Sequence, residues 1–341
     1  MASGGKSAVL TQFGTPEVVQ IQSKFIPEPA ADEIRVKVAA AGLAFADIKM
    51  RHGVYPGAPK TPFTPGYDFS GVVDAVGKNV KEFAVGDHCL GLSFVGSQAE
   101  YLTLKTDYVA KVPADLDPVV GASMALNYLT AYQMLERQAK LSPGDTVLIH
   151  GGAGGVGTAL LDLLKDQGYK IYATASAGKH DIVRSYGATP IDYRTESFVD
   201  ILQAAGGADA VFDHIGGKHL LMSADAAKAG GRVISYGFLS AVNGDSNVMA
   251  QTFKAVTKLK FFSRVKPFFY AILTPGFNQK KYIAQDLEVL AGKIVSGELK
   301  PVIGKVLPLE QVAEGHRMLE SAEVSGKIVL AVDEELVKDA G

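Results

Sequence analysis

The sequence contains a single cysteine, Cys89, and no tryptophan. One cysteine excludes a disulfide framework and any zinc site built from several cysteines, and it suits a reducing compartment, so we expect a cytoplasmic protein. The sequence also lacks a large excess of charge of either sign, because it has 34 Lys and Arg residues and 36 Asp and Glu residues, for a net charge of -2. A chain so nearly neutral has no general attraction for nucleic acid.

Long hydrophobic segments are missing as well. The longest uncharged run, 118–135, contains Gly121, Asn127, Thr130 and Gln133, and it is too polar to predict a membrane span. The first ten residues, MASGGKSAVL, have no apolar core of the length that a signal peptide needs. We therefore expect neither export through a signal peptide nor a membrane-spanning helix.

The composition that remains is that of a folded protein. The 341 residues are 47% hydrophobic and 21% charged, and at ~150 residues per domain this length suggests about two domains. Short strand patterns at 34–39, 71–76 and 99–104 are separated by glycine and proline, which favours a small β-barrel or sandwich.

The pattern changes in the middle of the chain. Between 141 and 236, strand and helix patterns alternate, which indicates βαβ units around a parallel sheet. Strand patterns return near Pro301. The fold class is therefore α/β, and we predict a β-barrel domain of residues 1–125 and 300–341 that is interrupted by an α/β domain of residues 126–299.

A glycine-rich loop follows the apolar strand pattern at 146–150. It contains G-x-G-x-x-G in the context that dinucleotide binding requires, after a strand and at the start of a helix. The first glycine permits a tight turn, the second lets the backbone approach a pyrophosphate, and the third allows close packing, while the helix N-terminus faces the phosphates. A glycine-rich turn without a ligand is the alternative. The loop residues are Gly152, Ala153, Gly154, Gly155, Val156 and Gly157.

The end of the next strand predicts which dinucleotide binds. A site for NAD(H) places Asp or Glu there, to hold the ribose 2′-hydroxyl. The segment ATASAGK at 173–179 has no carboxylate. Ser176 is suited to hydrogen-bond a 2′-phosphate and Lys179 to neutralise it, so NADP(H) is favoured. The alternative is that Lys179 is a solvated residue at a helix start.

Several segments together resemble one family. They are AAAGLAFADIKMRHGVYP (39–56), PGYDFSGVVDAVG (65–77), LSPGDTVLIHGGAGGVG (141–157) and GGRVISYG (230–237). The chain is similar over nearly its whole length to the zinc-free quinone oxidoreductase branch of the medium-chain dehydrogenase/reductase superfamily. Its middle part also resembles the synaptic-vesicle membrane protein homologues within that branch.

This resemblance implies a GroES-like β-barrel catalytic domain and a Rossmann domain with a doubly wound parallel sheet that binds NADPH. It implies hydride transfer to a quinone, an enone or another activated alkene, and we expect a homodimer. By this resemblance, Tyr55 is expected beside the nicotinamide and substrate, and Thr130 against the cofactor. Residues 153–156 are expected around the pyrophosphate. Around the 2′-phosphate we expect Ser176, Lys179 and Tyr193, and along the nicotinamide Gly237, Phe238 and Leu239. The alternatives are that Tyr193 is a core aromatic and Tyr55 a packing residue of a barrel loop.

The sequence departs from the family at one position and from its zinc-dependent relatives at two. Ala44 stands where the family usually has Asn, and where the zinc alcohol dehydrogenases have a cysteine ligand, while Tyr67 replaces their histidine ligand. Without a metal to polarise a plain carbonyl, a conjugated acceptor is the expected substrate. Reduction of an enone also needs a proton, for which Tyr55 and Tyr67 are the candidate catalytic residues, with Tyr55 favoured.

Three histidine or cysteine side chains and one basic stretch have no assigned chemistry. His150 and His214 are expected to be packed or hydrogen-bonded structural residues, and Cys89 a residue of the barrel core. Residues 246–285 have seven basic side chains interleaved with aromatics and no acid before Asp286. A lid or simple packing, an anionic membrane surface and a subunit contact remain open for this stretch.

The leading hypothesis is an NADPH-dependent, metal-free reductase of quinones or α,β-unsaturated carbonyls. Two alternatives remain. One is an NADPH-binding adaptor with little turnover that contacts a membrane or protein partner, and the other is a trans-acting enoyl reductase of a biosynthetic pathway.

Overall fold

The computed structural model describes residues 4–239, 248–272 and 282–338. As far as the glycine loop its elements are β1 (Gly4–Leu10), β2 (Val19–Phe25), β3 (Glu33–Leu43), α1 (Phe45–Arg51), β4 (Asp68–Val76), β5 (His88–Leu92), β6 (Tyr101–Lys105), β7 (Val109–Lys111), α2 (Pro118–Met134) and β8 (Thr146–Ile149). They continue with α3 (Gly155–Leu164), β9 (Lys170–Ala175), α4 (His180–Arg184), β10 (Thr189–Asp192), α5 (Phe198–Ala204), β11 (Ala208–Asp213), α6 (His219–Ala226), β12 (Ala227–Ser235), α7 (Val248–Phe262), β13 (Lys266–Phe269), α8 (Ile283–Val295), β14 (Ile303–Pro308), α9 (Val312–Glu320), β15 (Lys327–Ala331) and α10 (Glu334–Lys338).

The chain separates into two compact units, one of residues 1–129 and 278–341 and the other of residues 130–277. The expected domain boundaries lay at 125/126 and 299/300, so the second differs by about one helix. The difference is α8, which packs against β5 and β7 and so belongs with the barrel strands.

The first unit is built around a seven-stranded sheet. Its order is β14-β15-β3-β4-β5-β7, with β6 paired to β3, and every pair is antiparallel except β14 with β15. Strand β3 is central because alternate residues Ile34, Val36 and Val38 are fully buried, as the two-residue period of a strand requires. Strands β1 and β2 form a separate antiparallel pair. This is the predicted GroES-like barrel.

The second unit is a six-stranded sheet in the order β10-β9-β8-β11-β12-β13, in which every pair is parallel. Counted from β8, this order is 3-2-1-4-5-6, the doubly wound arrangement of the predicted Rossmann domain. Val147, Leu148 and Ile149 of β8 are fully buried, because helices cover both faces of such a sheet and every residue of a central strand is buried. The order reverses between β8 and β11, where ligands bind in this fold.

Two local features differ from the expectations. The helix expected at 218–229 ends at Ala226, since Ala227 already pairs with Ala208 in the parallel ladder. Helix α7 was not predicted; it buries Val248, Thr252, Ala255 and Leu259, a spacing of three or four residues that gives one buried helix face. Across the described residues, no helix combines the length and the apolar character that a membrane crossing demands.

Candidate functional site

The predicted cofactor residues of the second unit follow neighbouring strands of its sheet. The glycine loop follows β8, Ser176 follows β9, Tyr193 comes just after β10, and residues 237–239 follow β12. Because all these strands are parallel, their carboxyl ends meet at one edge of the sheet. The fold therefore brings these residues of separate chain segments to a single edge. Thr130, the remaining cofactor candidate, is a buried residue of α2.

The glycine loop turns tightly and leaves its middle exposed. A Cβ at Gly157 would overlap the carbonyl oxygen of Gly151, so this position accepts only glycine. At Gly154, which is exposed, the nearest contact of an added Cβ would be the Gly151 carbonyl oxygen at 3.3 Å. Gly154 is the N-cap of α3 and provides no side-chain cap. The first turn of α3 is thus available to an anion that approaches the loop.

Polar side chains stand beside this loop at the ends of β9 and β10. Lys179 lies on the turn after Ser176, and its backbone N–H donates to the Ser176 carbonyl oxygen at 2.8 Å. Burial lowers the pKa of Lys179. The Tyr193 side chain is 55% exposed, so the alternative that Tyr193 is a core aromatic is wrong. The Arg194 guanidinium lies 5.6 Å from the centre of the Tyr193 ring, a cation that sequence reasoning missed although it adjoins a predicted site residue.

The loops after β11 and β12 are tied together on the same edge. The Leu239 backbone N–H donates to the His214 carbonyl oxygen at 3.0 Å, and a Cβ at Gly237 would lie 2.6 Å from that oxygen. The Phe238 ring packs 5.5 Å from Phe269 and 6.4 Å from Phe253, measured between ring centres. Phe238 is therefore held by an aromatic cluster that includes α7 and β13.

In the barrel unit, the structure brings the two candidate catalytic tyrosines together. Their side chains are hydrogen-bonded to one another, and both rings pack on Phe94, at centre distances of 5.8 Å for Tyr55 and 5.4 Å for Tyr67. Phe94 has a φ of 68°, which is uncommon for an aromatic residue. Burial raises the pKa of Tyr55, and its hydrogen bond with Tyr67 offsets part of that rise. Sequence reasoning missed Phe94.

Asp47 fixes the backbone from which Tyr67 projects. It is fully buried in the first turn of α1, where its carboxylate accepts hydrogen bonds from the backbone N–H groups of Ala44 at 2.8 Å and Gly66 at 3.0 Å. Burial raises the pKa of Asp47 to about 7. Because Gly66 directly precedes Tyr67, this carboxylate joins the start of α1 to the tyrosine pair. Only the fold shows this connection.

Ala44 and Tyr67, which stand where the zinc-dependent relatives have ligands, both lie in the barrel unit. Ala44 is the N-cap residue of α1 and is buried, and the Tyr67 ring packs on Phe94. Burial raises the pKa of the Cys89 thiol to about 12, so Cys89 is a core residue and not a thiolate. Over the part of the chain that the structure describes, one cluster of three residues has metal-ligand spacing, and it lies in the other unit: His150, Asp213 and His219.

Two family models match the chain. Residues 30–114 match the alcohol dehydrogenase GroES-like domain, and residues 186–330 match the zinc-binding dehydrogenase family. The quinone oxidoreductase of Lama guanicoe is 32% identical over 94% of this chain and 96% of its own length. The chain belongs to the quinone oxidoreductase branch of the medium-chain dehydrogenase/reductase superfamily.

Two further relatives are similar to the chain over most of its length. The synaptic vesicle membrane protein VAT-1 homolog of Rattus norvegicus is 33% identical over 94% of this chain and 83% of its own length. The Escherichia coli quinone oxidoreductase complexed with NADPH superimposes with a TM-score of 0.85 at 26% identity, covering 96% of this chain and all of that one. These matches confirm the family and the fold that the motifs predicted. The roles of the individual site residues stay predictions.

Proposed function

We propose that the protein is an NADPH-dependent, metal-free oxidoreductase that delivers a hydride to a quinone or an α,β-unsaturated carbonyl. The observation that carries this proposal is the glycine loop, with its exposed Gly154, at the switch point of the 3-2-1-4-5-6 sheet, and Ser176 and Lys179 at the end of the neighbouring strand. Two relatives described as NADPH complexes, one from Escherichia coli and one mycobacterial, support it.

The residues present fit this cofactor. The exposed Gly154 and the uncapped first turn of α3 suit a pyrophosphate. Ser176 and Lys179 replace the acidic residue that would repel a 2′-phosphate, and Arg194 adds a second positive charge beside Tyr193. NADPH supplies a hydride when it is bound.

The tyrosine pair supplies the other half of the proposed chemistry. An enone reduced at its β-carbon becomes an enolate, whose charge needs a hydrogen-bond donor and then a proton. The hydrogen bond between Tyr55 and Tyr67 means that one hydroxyl donates to the other and the second keeps its proton for a substrate oxygen. A quinone spreads its charge over two oxygens and draws protons from solvent, so it depends less on the pair.

The second candidate function is the NADPH-binding adaptor with little turnover. It is favoured by exposed aromatic side chains at the end of α7, where Phe261 is 69% and Phe262 84% exposed. Lys260 lies 6.0 Å from the centre of the Phe261 ring. Other aromatics of the basic stretch are packed, since the buried Tyr270 donates its hydroxyl to Gln133 at 2.9 Å. Lys280 and Lys281 lie outside the described residues.

One experiment separates these functions. The purified chain is dialysed against EDTA, and NADPH oxidation is followed at 340 nm with a panel of quinones and enones, against a blank without acceptor. Turnover of either class after dialysis supports the reductase, and turnover only of a carrier-bound enoyl substrate indicates the biosynthetic reductase. Tight NADPH binding without turnover indicates the adaptor, and a requirement for one zinc per chain contradicts the metal-free assignment.

The last part of the proposal concerns the oligomeric state and the cellular location. We propose a homodimer in the cytoplasm that acts on a small molecule, as expected from the resemblance and from the single cysteine. Sedimentation of the purified chain and its distribution between soluble and membrane fractions test the two statements.

A further inference from the structure

A buried polar network lies beneath the glycine loop, and nothing in the proposed chemistry uses it. His150 follows β8, Thr174 lies at the end of β9, Asp213 ends β11, and Ser223 is on α6. Each of these four residues is at most 3% exposed. Buried polar groups are costly unless they are paired, so their partners carry information about what the network does.

The side chains form one continuous line of hydrogen bonds. The Gly151 N–H lies 3.1 Å from Thr174 Oγ1, which is 3.3 Å from His150 Nδ1. His150 Nε2 lies 3.2 Å from Ser223 Oγ, which is 2.6 Å from Asp213 Oδ2. His219 Nδ1 approaches the same Asp213 oxygen at 2.8 Å. The line therefore runs from Gly151, which directly precedes the glycine loop, to the end of β11.

The charge on Asp213 sets the direction of every bond in this line. Burial alone would raise the pKa of Asp213, but the hydrogen bonds from His219 and Ser223 and the electrostatic interaction with the neighbouring imidazoles outweigh it, so the pKa lies well below its usual range. An ionised carboxylate only accepts. Ser223 must therefore donate to Asp213, and its oxygen must accept from His150.

The same reasoning assigns the imidazole tautomer. Burial lowers the pKa of His150 to about 3, so the ring is neutral and has one N–H. That proton must be on Nε2, which donates to Ser223, and Nδ1 accepts from the Thr174 hydroxyl. The Thr174 oxygen is then the acceptor for the Gly151 N–H. Each hydroxyl donates once and accepts once, so no member can reverse without breaking the line.

The other carboxylate oxygen extends the line to the next loop. Asp213 Oδ1 accepts from the backbone N–H groups of Ile215 at 2.8 Å and Gly216 at 2.9 Å. The Asp213 carboxylate thus fixes the loop after β11 directly and the glycine loop through three side chains. Both loops lie at the carboxyl edge of the sheet, where the dinucleotide is proposed to bind.

We infer that Thr174, His150, Ser223 and Asp213 are positioning residues that hold the Gly151 N–H, and with it the glycine loop, in the geometry that binds the dinucleotide. The identity of the ligand in this inference rests on the proposed function, whereas the chain of hydrogen bonds does not. His150, Asp213 and His219 are close enough to hold a metal ion, with ligand atoms within 4.8 Å of one another. However, both His150 nitrogens and both Asp213 oxygens are already engaged, and a cation would have to displace Ser223.

The test compares two threonine-to-valine variants of the full chain. Thr174→Val removes the hydroxyl that links Gly151 to His150, while Thr146→Val alters another buried threonine at the opposite, amino end of β8. Thr174→Ser restores the hydroxyl. We expect Thr174→Val to weaken NADPH binding about fivefold or more, the effect of one lost neutral hydrogen bond, and Thr146→Val and Thr174→Ser to stay near wild type.

Two further readouts do not depend on NADPH. Nitrogen-15 NMR should show the Nε2–H tautomer of His150 in the wild type, and Thr174→Val should speed amide hydrogen exchange at Gly151 while Thr146→Val does not. If the tautomer and the exchange rates are as expected but the wild type does not bind NADPH, the proposed function is contradicted and the chain of hydrogen bonds is established. The Nδ1–H tautomer, unchanged Gly151 exchange in Thr174→Val, or stoichiometric Zn²⁺ binding that shifts the His150 resonances overturns the inference.

Discussion

Lys327 donates a hydrogen bond to Asp68 across 2.7 Å inside the barrel unit, where the Asp68 side chain is fully buried and that of Lys327 is 4% exposed. The two residues come from β15 and β4, which flank β3 on opposite sides. On β3 itself, Gly42 makes room for the pair, because a Cβ there would press on both side chains. The ion pair therefore joins three strands around one glycine.

We predict that Lys327→Met destabilises the protein by about 3–5 kcal/mol, because it leaves the Asp68 carboxylate buried without its cation. Urea unfolding measures the change, with the exposed Lys305→Met on β14 as the control. Adding Asp68→Leu to Lys327→Met should recover most of the loss, since a buried apolar pair has no uncompensated charge. A Lys327→Met variant as stable as Lys305→Met would show that the pair contributes nothing.

Stability should also fall in mild acid, because burial lowers the pKa values of His150 and His316 to about 3 from 6.5. Between about pH 6 and 5 the unfolded chain therefore binds about two more protons at these histidines than the folded chain does. Asp47 acts in the opposite sense, since its folded pKa is about 7 against 3.8 unfolded, and the folded chain holds one extra proton. For these three groups the net difference is about one proton, so through this window they lower the free energy of unfolding by about 1.4 kcal/mol per pH unit as the pH drops.

Replacement of one histidine tests the sign of this balance. The two ring nitrogens of His316 find no hydrogen-bond partner among the described residues, so His316→Leu removes a titrating group without breaking a bond. Its unfolding free energy, measured between about pH 6 and 5, should fall less steeply with acid than that of the wild type, by about 1.4 kcal/mol per pH unit. An acid slope equal to that of the wild type in His316→Leu would contradict the assignment.

Lys179→Ala should weaken NADPH binding and leave NADH binding nearly unchanged, because only NADPH has the 2′-phosphate that the ammonium group is proposed to meet. The loss should be on the order of 1.5–3 kcal/mol, the range for a hydrogen bond to a charged group. Fluorescence titration of both cofactors measures it. Lys170→Ala, an exposed lysine at the other end of the same strand, is the control. Equal losses for the two cofactors would exclude the 2′-phosphate role.

Tyr55→Phe should slow the reduction of an enone by ~10²-fold or more and that of a quinone much less, if the hydroxyl acts as a general acid. Steady-state rates with both acceptors measure the difference, and Tyr101→Phe on β6 is the control. NADPH affinity should be unchanged. Since Tyr55 and Tyr67 share a hydrogen bond, Tyr67→Phe should show a smaller loss with the same preference for the enone. If Tyr55→Phe slows neither acceptor, the tyrosine only packs and solvent is the acid.

Much of the second unit could be predicted because its strands and helices have strong local patterns. The buried run of β8 and the glycine loop lie within one short segment, so spacing alone indicated both. Helix α7 was not predicted because its buried face includes Thr252 and the small Ala255, and because the helix also has three lysines. Together these weaken the helical period of apolar residues.

The polar contacts of the site could not be predicted in the same way. His150 and Ser223 lie 73 residues apart, and Asp47 meets Gly66 across 19 residues. These pairs form only when the sheet or the barrel brings distant segments together, and no local pattern marks them. Phe94 has an unusual backbone conformation that its residue type does not indicate in the sequence.

A deuterium label follows the proposed transfer of a hydride from NADPH to a conjugated acceptor. The protein is incubated with an enone and NADPH deuterated at either the 4R or the 4S position, and the product is analysed by mass spectrometry and NMR. We predict one deuterium at the β-carbon from one of the two labels and none from the other. Saturated product without deuterium from either label, or NADPH oxidation without any reduced product, would contradict it.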